Sequence, residues 1–70
     1  MKYRVKLPDG SVNEFDKEED AINFAKSNSV RMHKVIGIDY FDGTKWRVLG
    51  IAYPSGSVQI GTKGFGMFKR

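Results

Sequence analysis

Val35-Ile36-Gly37-Ile38-Asp39-Tyr40-Phe41-Asp42-Gly43-Thr44-Lys45-Trp46-Arg47-Val48-Leu49-Gly50-Ile51-Ala52-Tyr53 is the stretch that decides the fold. Two runs rich in β-branched and aromatic residues flank Asp42-Gly43, and Asp-Gly between such runs signals a β-hairpin. Side chains alternate between faces along a strand, so the loop length decides which residues share a face. A two-residue loop sets Ile36 and Ile38 on the face of Lys45 and Arg47, mixing apolar with charged. A three-residue loop gathers Ile36, Ile38, Tyr40, Trp46, Val48 and Ala52 on one face and sets Asp39 opposite Lys45. The three-residue loop is therefore expected, with Trp46 in the core and Arg47 outward.

Working outward, the same turn chemistry recurs at Tyr53-Pro54-Ser55-Gly56-Ser57 and brings Val58 and Ile60 onto that core face. Near the N-terminus, Tyr3, Val5 and Leu7 alternate with Lys2, Arg4 and Lys6, the period of a half-buried strand. Pro8-Asp9-Gly10 follows and closes a three-residue hairpin loop, which pairs Leu7 with Ser11, Arg4 with Glu14 and Tyr3 with Phe15. Tyr3, Val5, Leu7 and Phe15 then share one face, and Lys2, Arg4, Lys6, Val12 and Glu14 the other. Asp16-Lys17-Glu18-Glu19 starts a helix. Asp16 is suited to cap the first free amides, and the acidic cluster lies at the positive end of the helix dipole. Ala21, Ile22, Phe24 and Ala25 supply its apolar stripe. Ser27-Asn28-Ser29 is expected to end it after about 11 or 12 residues, with Asn28 as the left-handed cap. These signals predict an α+β fold of order ββαβββ, a mainly antiparallel sheet with one helix packed on one face. Residues 1–60 form the single domain and residues 61–70 a flexible basic tail rich in Gly and Phe.

Composition bounds the function. Seventy residues, 40% of them hydrophobic, suit one small domain. The chain has no cysteine and one histidine, which removes disulfides, thiolate chemistry and the usual structural zinc sites. No apolar run approaches the ~20 residues of a membrane span. Met1-Lys2-Tyr3-Arg4-Val5-Lys6 alternates charge with hydrophobe where a signal peptide has an apolar block. A soluble, cytoplasmic protein is expected, with no membrane, metal or cofactor. Lys plus Arg is 12 and Asp plus Glu is 8, a net charge of +4. Five of the acids (Glu14, Asp16, Glu18, Glu19, Asp20) lie between residues 14 and 20, with only Lys17 among them.

Catalysis lacks material. His33 has no inferable nucleophile or acid beside it, Asp42 is accounted for by its turn, and the glycines after residue 60 lack the spacing of a phosphate loop. The expectation is a protein that is not an enzyme.

One short helix covers only one side of the sheet. The other side is expected to show Val35, Gly37, Asp39, Phe41, Lys45, Arg47, Leu49, Ile51, Tyr53 and Gln59, joined by Lys2, Arg4, Lys6 and Val12 if the first hairpin enters the same sheet. A solvated face is polar at nearly every alternate position, and this one is not, which marks an interaction surface. Two classes of partner follow. In the first, a protein partner or a second copy docks on Val35, Phe41, Lys45, Arg47, Leu49, Ile51 and Tyr53, with Arg47 as hot spot. In the second, single-stranded nucleic acid stacks on Phe41 and Tyr53 while Lys2, Arg4, Lys6, Lys45 and Arg47, together with the basic tail, meet phosphates. Aliphatic residues at the centre of the patch favour protein. The size, lack of cysteine and hairpin–helix–meander plan are similar to small phage-encoded proteins that disable host or defence machinery by docking. That likeness implies an accessory or inhibitor role and assigns no residue.

Overall fold

The computed structural model describes residues 2–61. The element order is β1 (Tyr3–Lys6), β2 (Val12–Phe15), α1 (Glu18–Met32), β3 (Ile36–Phe41), β4 (Trp46–Ala52) and β5 (Val58–Ile60). The strands form one antiparallel sheet in the order β2-β1-β3-β4-β5, so the first hairpin does enter the sheet. The α+β, ββαβββ fold with one helix on one face is as expected from the sequence.

The first and third turns close as their chemistry dictates. The Leu7 amide donates to the Ser11 carbonyl at 2.9 Å, and the Gly10 amide to the Leu7 carbonyl. Tyr53, Ser57 and Gly56 repeat that pattern, with Gly10 and Gly56 both at positive φ. The expected pairs Tyr3↔Phe15 and Arg4↔Glu14 are present.

The helix departs from expectation at both ends. Asp16 does not cap it; its carboxylate lies 3.5 Å from Lys2 Nζ, and Lys17 occupies the N-cap position with no side-chain bond. Glu18, Glu19 and Asp20 still fill the first turn, where the dipole favours anions. At the far end α1 runs through Ser27-Asn28-Ser29 to Met32, and His33 takes the left-handed cap at φ 57°. Asn28 and Ser29 do not break the helix because their polar groups find partners there. Asn28 Nδ2 donates to the Phe24 carbonyl at 2.9 Å, and the Ser29 hydroxyl donates to the Lys34 carbonyl, with the Ala52 carbonyl 3.2 Å away. A left-handed position favours glycine. His33→Gly is expected to stabilise the fold by about 0.5–1 kcal/mol, read by urea unfolding; a loss of stability would contradict the cap.

The core lies between helix and sheet. Val5, Ile36, Ile38, Leu49 and Ala52 from the strands meet Ala21 and Ala25 of α1, all at most 2% exposed, with Tyr3 at its margin. The two alanines let the helix approach closely, and Phe15 and Phe24 close one end with ring centroids 5.2 Å apart. Val58 and Ile60 pack against this core as expected.

The middle hairpin corrects the sequence reading. The Asp42 amide donates to the Lys45 carbonyl, so only Gly43 and Thr44 lie between the paired ends. From there the pairs run Phe41↔Trp46, Tyr40↔Arg47 and Asp39↔Val48, and Asp39 therefore does not face Lys45. Between Asp39 and Ile38 the register shifts, and the far half pairs as Ile38↔Gly50, Gly37↔Ile51 and Ile36↔Ala52. Leu49 is the extra residue of a β-bulge, which reverses the alternation of faces along β4. The far half accordingly keeps Ile36, Ile38 and Ala52 in the core, while the near half turns Trp46 and Val48 to the uncovered side. Leu49, expected outside, is 2% exposed.

Candidate interaction surface

The uncovered side of the sheet is built from alternate residues of the strands, aligned by the pairing above. On β1 these are Lys2, Arg4 and Lys6; on β3, Gly37, Asp39 and Phe41; on β4, Trp46, Val48 and Ile51. Three apolar residues on or beside it are more than half exposed, Val12 at 51%, Val35 at 55% and Val48 at 59%, while Phe41, Trp46 and Ile51 are half-buried. Gly37 leaves a bare patch of backbone among them, where an added Cβ would meet nothing within 4 Å. Trp46 and Phe41 form a tilted pair with centroids 5.3 Å apart, and the Arg4 guanidinium lies 4.2 Å from the Trp46 ring centroid. That cation–π contact braces the indole on the face. The exposed apolar residues thus flank an ordered aromatic pair.

Of the residues expected at a protein interface, Val35, Phe41, Ile51 and Tyr53 are on or beside this face. Ile51 and Tyr53 are half-buried, and the Tyr53 hydroxyl donates to Gln59 Oε1 at 3.0 Å. Lys45 is exposed at the turn. Two assignments fail. Leu49 is core, and Arg47, although exposed, lies on the side of its partner Tyr40, away from the uncovered face, and ion-pairs with Asp42. The residues missed are Trp46 and Val48. The Asp42-Gly43 dipeptide, read with the two-residue loop it favours, was the signal for both.

The charges of the face are largely cancelled in place. Arg4 donates to Asp39 Oδ2 from Nη2 at 3.0 Å and Nε at 3.3 Å, with both side chains about four-fifths buried. Lys2 Nζ lies 3.9 Å from Glu14 and 3.5 Å from Asp16. So of the five cations expected to meet phosphates, Lys2, Arg4 and Arg47 already hold carboxylates, and only Lys6 and Lys45 have no ion pair. Nine of the twelve Lys and Arg and all eight Asp and Glu lie in residues 2–61, leaving +1 there and +3 in residues 62–70. The tail expected over residues 61–70 lies, apart from Gly61, outside the described residues.

Asp42 fixes the turn. The Lys45 amide, the Arg47 guanidinium and the Thr44 amide together hold its carboxyl well below the usual 3.8. The unfolded chain protonates Asp42 near 3.8 and the folded chain only at lower pH. Its contribution to stability is therefore full above 3.8 and lost as pH falls through the folded value. A carbon-detected NMR titration is expected to show the Asp42 midpoint below 3.8; a midpoint at or above that value contradicts this turn.

Among the described residues no group of three or more His, Asp or Glu is placed to hold a metal ion, and no helix is long and apolar enough to cross a membrane. No family model, curated protein or solved structure matches the chain significantly.

Proposed function

We propose that the chain is a non-catalytic binding module that docks on a protein surface through the open face of its sheet. One observation carries this reading: Val35, Val48 and Val12 stand more than half exposed on a face whose cations are mostly neutralised by their own neighbours. Exposed apolar groups gain free energy only when covered by another apolar surface. Phosphates, in contrast, would have to displace Asp39 from the hydrogen-bonded and largely buried Arg4, whereas the exposed pairs of Lys2 with Glu14 and Asp16 resist less. Trp46, at the turn end of the face and braced by Arg4, replaces Arg47 as the expected hot spot.

Single-stranded nucleic acid is the competing ligand, because Trp46 and Phe41 offer stacking surfaces. A labelled oligonucleotide titrated at two ionic strengths separates the two. With Lys6 and Lys45 alone free of ion pairs among the five cations expected to meet phosphates, the face contributes at most ~1.4 log units of affinity per log unit of salt, and whatever residues 62–70 add is expected to be indifferent to Trp46→Ala. Micromolar or tighter binding with a slope near ~3.5, weakened by Trp46→Ala, would overturn protein docking in favour of nucleic acid.

A further inference from the structure

We propose that the partner docks as a strand: an extended, acidic segment of another protein adds to the edge of β4 at Trp46–Val48, filling the part of that strand position which β5 leaves open. This inference rests on the docking reading above and names the kind of partner and its mode of contact.

The strand pairing carries it. β4 has seven residues and β5 only three, which pair with Gly50, Ile51 and Ala52. One more bond on that side runs from the Gly61 amide to the Leu49 carbonyl. In an antiparallel pair, residues that exchange main-chain bonds alternate with residues whose N–H and C=O point the other way. The Asp42 amide donates to Lys45 across the turn, and the next amide, that of Phe41, donates to Lys2 beside β1 instead. Phe41↔Trp46 and Asp39↔Val48 are therefore the pairs without mutual bonds, so Trp46 and Val48 turn their N–H and C=O outward, away from β3. Among the described residues no main-chain bond meets those groups.

Donors and acceptors at strand spacing are matched by another extended main chain. A helix has already used its own, and a nucleic acid has none. The side chains of the same two residues stand on the open face, with Val48 59% exposed, so an added strand gains apolar cover together with its main-chain bonds. The two outer edges of the sheet suit this less: β5 is short, and β2 carries Glu14 with Asp16 behind it.

Charge selects the segment. Lys45, exposed at the turn beside Trp46, has no ion pair among the described residues, and Asp42 across the turn is held by Arg47. At the other end of the open stretch the chain leaves the described residues at Gly61, and residues 62–70 bring Lys63, Lys69 and Arg70 and no acid. Carboxylates on the incoming segment are favoured there and cations repelled.

The test is amide exchange with water, read by NMR on the full chain, alone and with the blocked peptide acetyl-Glu-Thr-Val-Thr-Val-Glu-amide. In the free chain the Trp46 and Val48 amides are expected to exchange at least about tenfold faster than the paired amides of Arg47 and Ile51. Peptide at about ten times its Kd is expected to slow both edge amides about tenfold. Proline in place of the peptide's valines removes the donors that face β4 and is expected to abolish the effect. Lysine in place of its glutamates is expected to weaken binding at least about threefold, and Lys45→Glu to reverse that preference. If Lys45→Glu fails to fold, the comparison of the two peptides decides alone. No slowing at about 5 mM peptide overturns the proposal, as does a proline or lysine peptide that matches the original. Edge amides already slow in the free chain also overturn it: at every concentration if this chain's own residues fill the edge, only at high concentration if a second copy does. A peptide that moves the Trp46 indole N–H while both edge amides stay fast refutes strand addition and leaves docking on the face standing. Docking itself fails separately, on the oligonucleotide titration above.

Discussion

Gly50→Ala is expected to destabilise the protein strongly. Gly50 pairs with Ile60 on the edge strand β5, and an added Cβ would lie 2.7 Å from Ile60 Cδ1 and 3.1 Å from Ile60 Cα. It would lie closer still to the Gln59 carbonyl oxygen, a backbone atom that cannot swing aside. Either β5 leaves the sheet or β4 shifts into the core. Overpacking of this kind costs about 1–3 kcal/mol, more when backbone blocks relief, against the ~3–5 kcal/mol that a core of this size supplies. The thermal midpoint should fall by more than about 10 °C. Gly37→Ala is the matched control: a glycine in the neighbouring strand, with nothing within 4 Å of its added Cβ, and a midpoint expected to hold or rise. Equal midpoints for the two variants would contradict the pairing of β4 with β5.

The second large effect separates two consecutive residues. Leu49 is 2% exposed at the bulge and Val48 is 59% exposed on the open face. Leu49→Ala should cost about 2–5 kcal/mol, because it removes packed methyl groups and leaves a cavity in a core with few other large side chains. Val48→Ala should change stability by less than about 0.5 kcal/mol. Chemical unfolding of both variants reads the bulge directly. The reverse order, with Val48→Ala the costly one, would restore an uninterrupted β4 and return Trp46 to the core.

Those two residues also mark where the sequence stops being readable. Pro8-Asp9-Gly10 and Pro54-Ser55-Gly56 specify their turns locally, because proline presets one dihedral and glycine accepts the positive φ, and the registers on either side follow. Asp42-Gly43 was equally legible as a turn. Its consequence is hidden because an unbroken alternation through β4 favours a three-residue loop instead. A bulge at Leu49 satisfies both halves at once: the two-residue loop at the turn, and the apolar pattern of Ile36, Ile38 and Ala52 beyond it. No local signal marks that position except Gly50 beside it, a residue whose presence in a strand often accompanies a bulge or a close backbone approach. The helix end was hidden for a different reason. Asn28 and Ser29 compete with helix in isolation, but Ser29 sits beside the Ala52 carbonyl, 23 residues on, a tertiary partner that no local reading contains. The candidate face itself was legible in outline. Val35, Phe41, Ile51 and Tyr53 come from segments whose parity was read correctly or whose error did not move them, whereas Leu49 and Trp46 exchanged sides across the bulge.

The central claim, that the open face of the sheet is an exposed apolar surface bearing Val35 and Val48, is tested most directly by carbon–proton NMR spectra of the methyl groups recorded with a soluble paramagnetic agent. The methyls of Val35 and Val48, 55% and 59% exposed, are expected to broaden strongly, while those of Val5, Ile38 and Leu49, at most 2% exposed, stay sharp. Broadening at Leu49 with Val48 protected would reverse the faces of β4 and contradict the account.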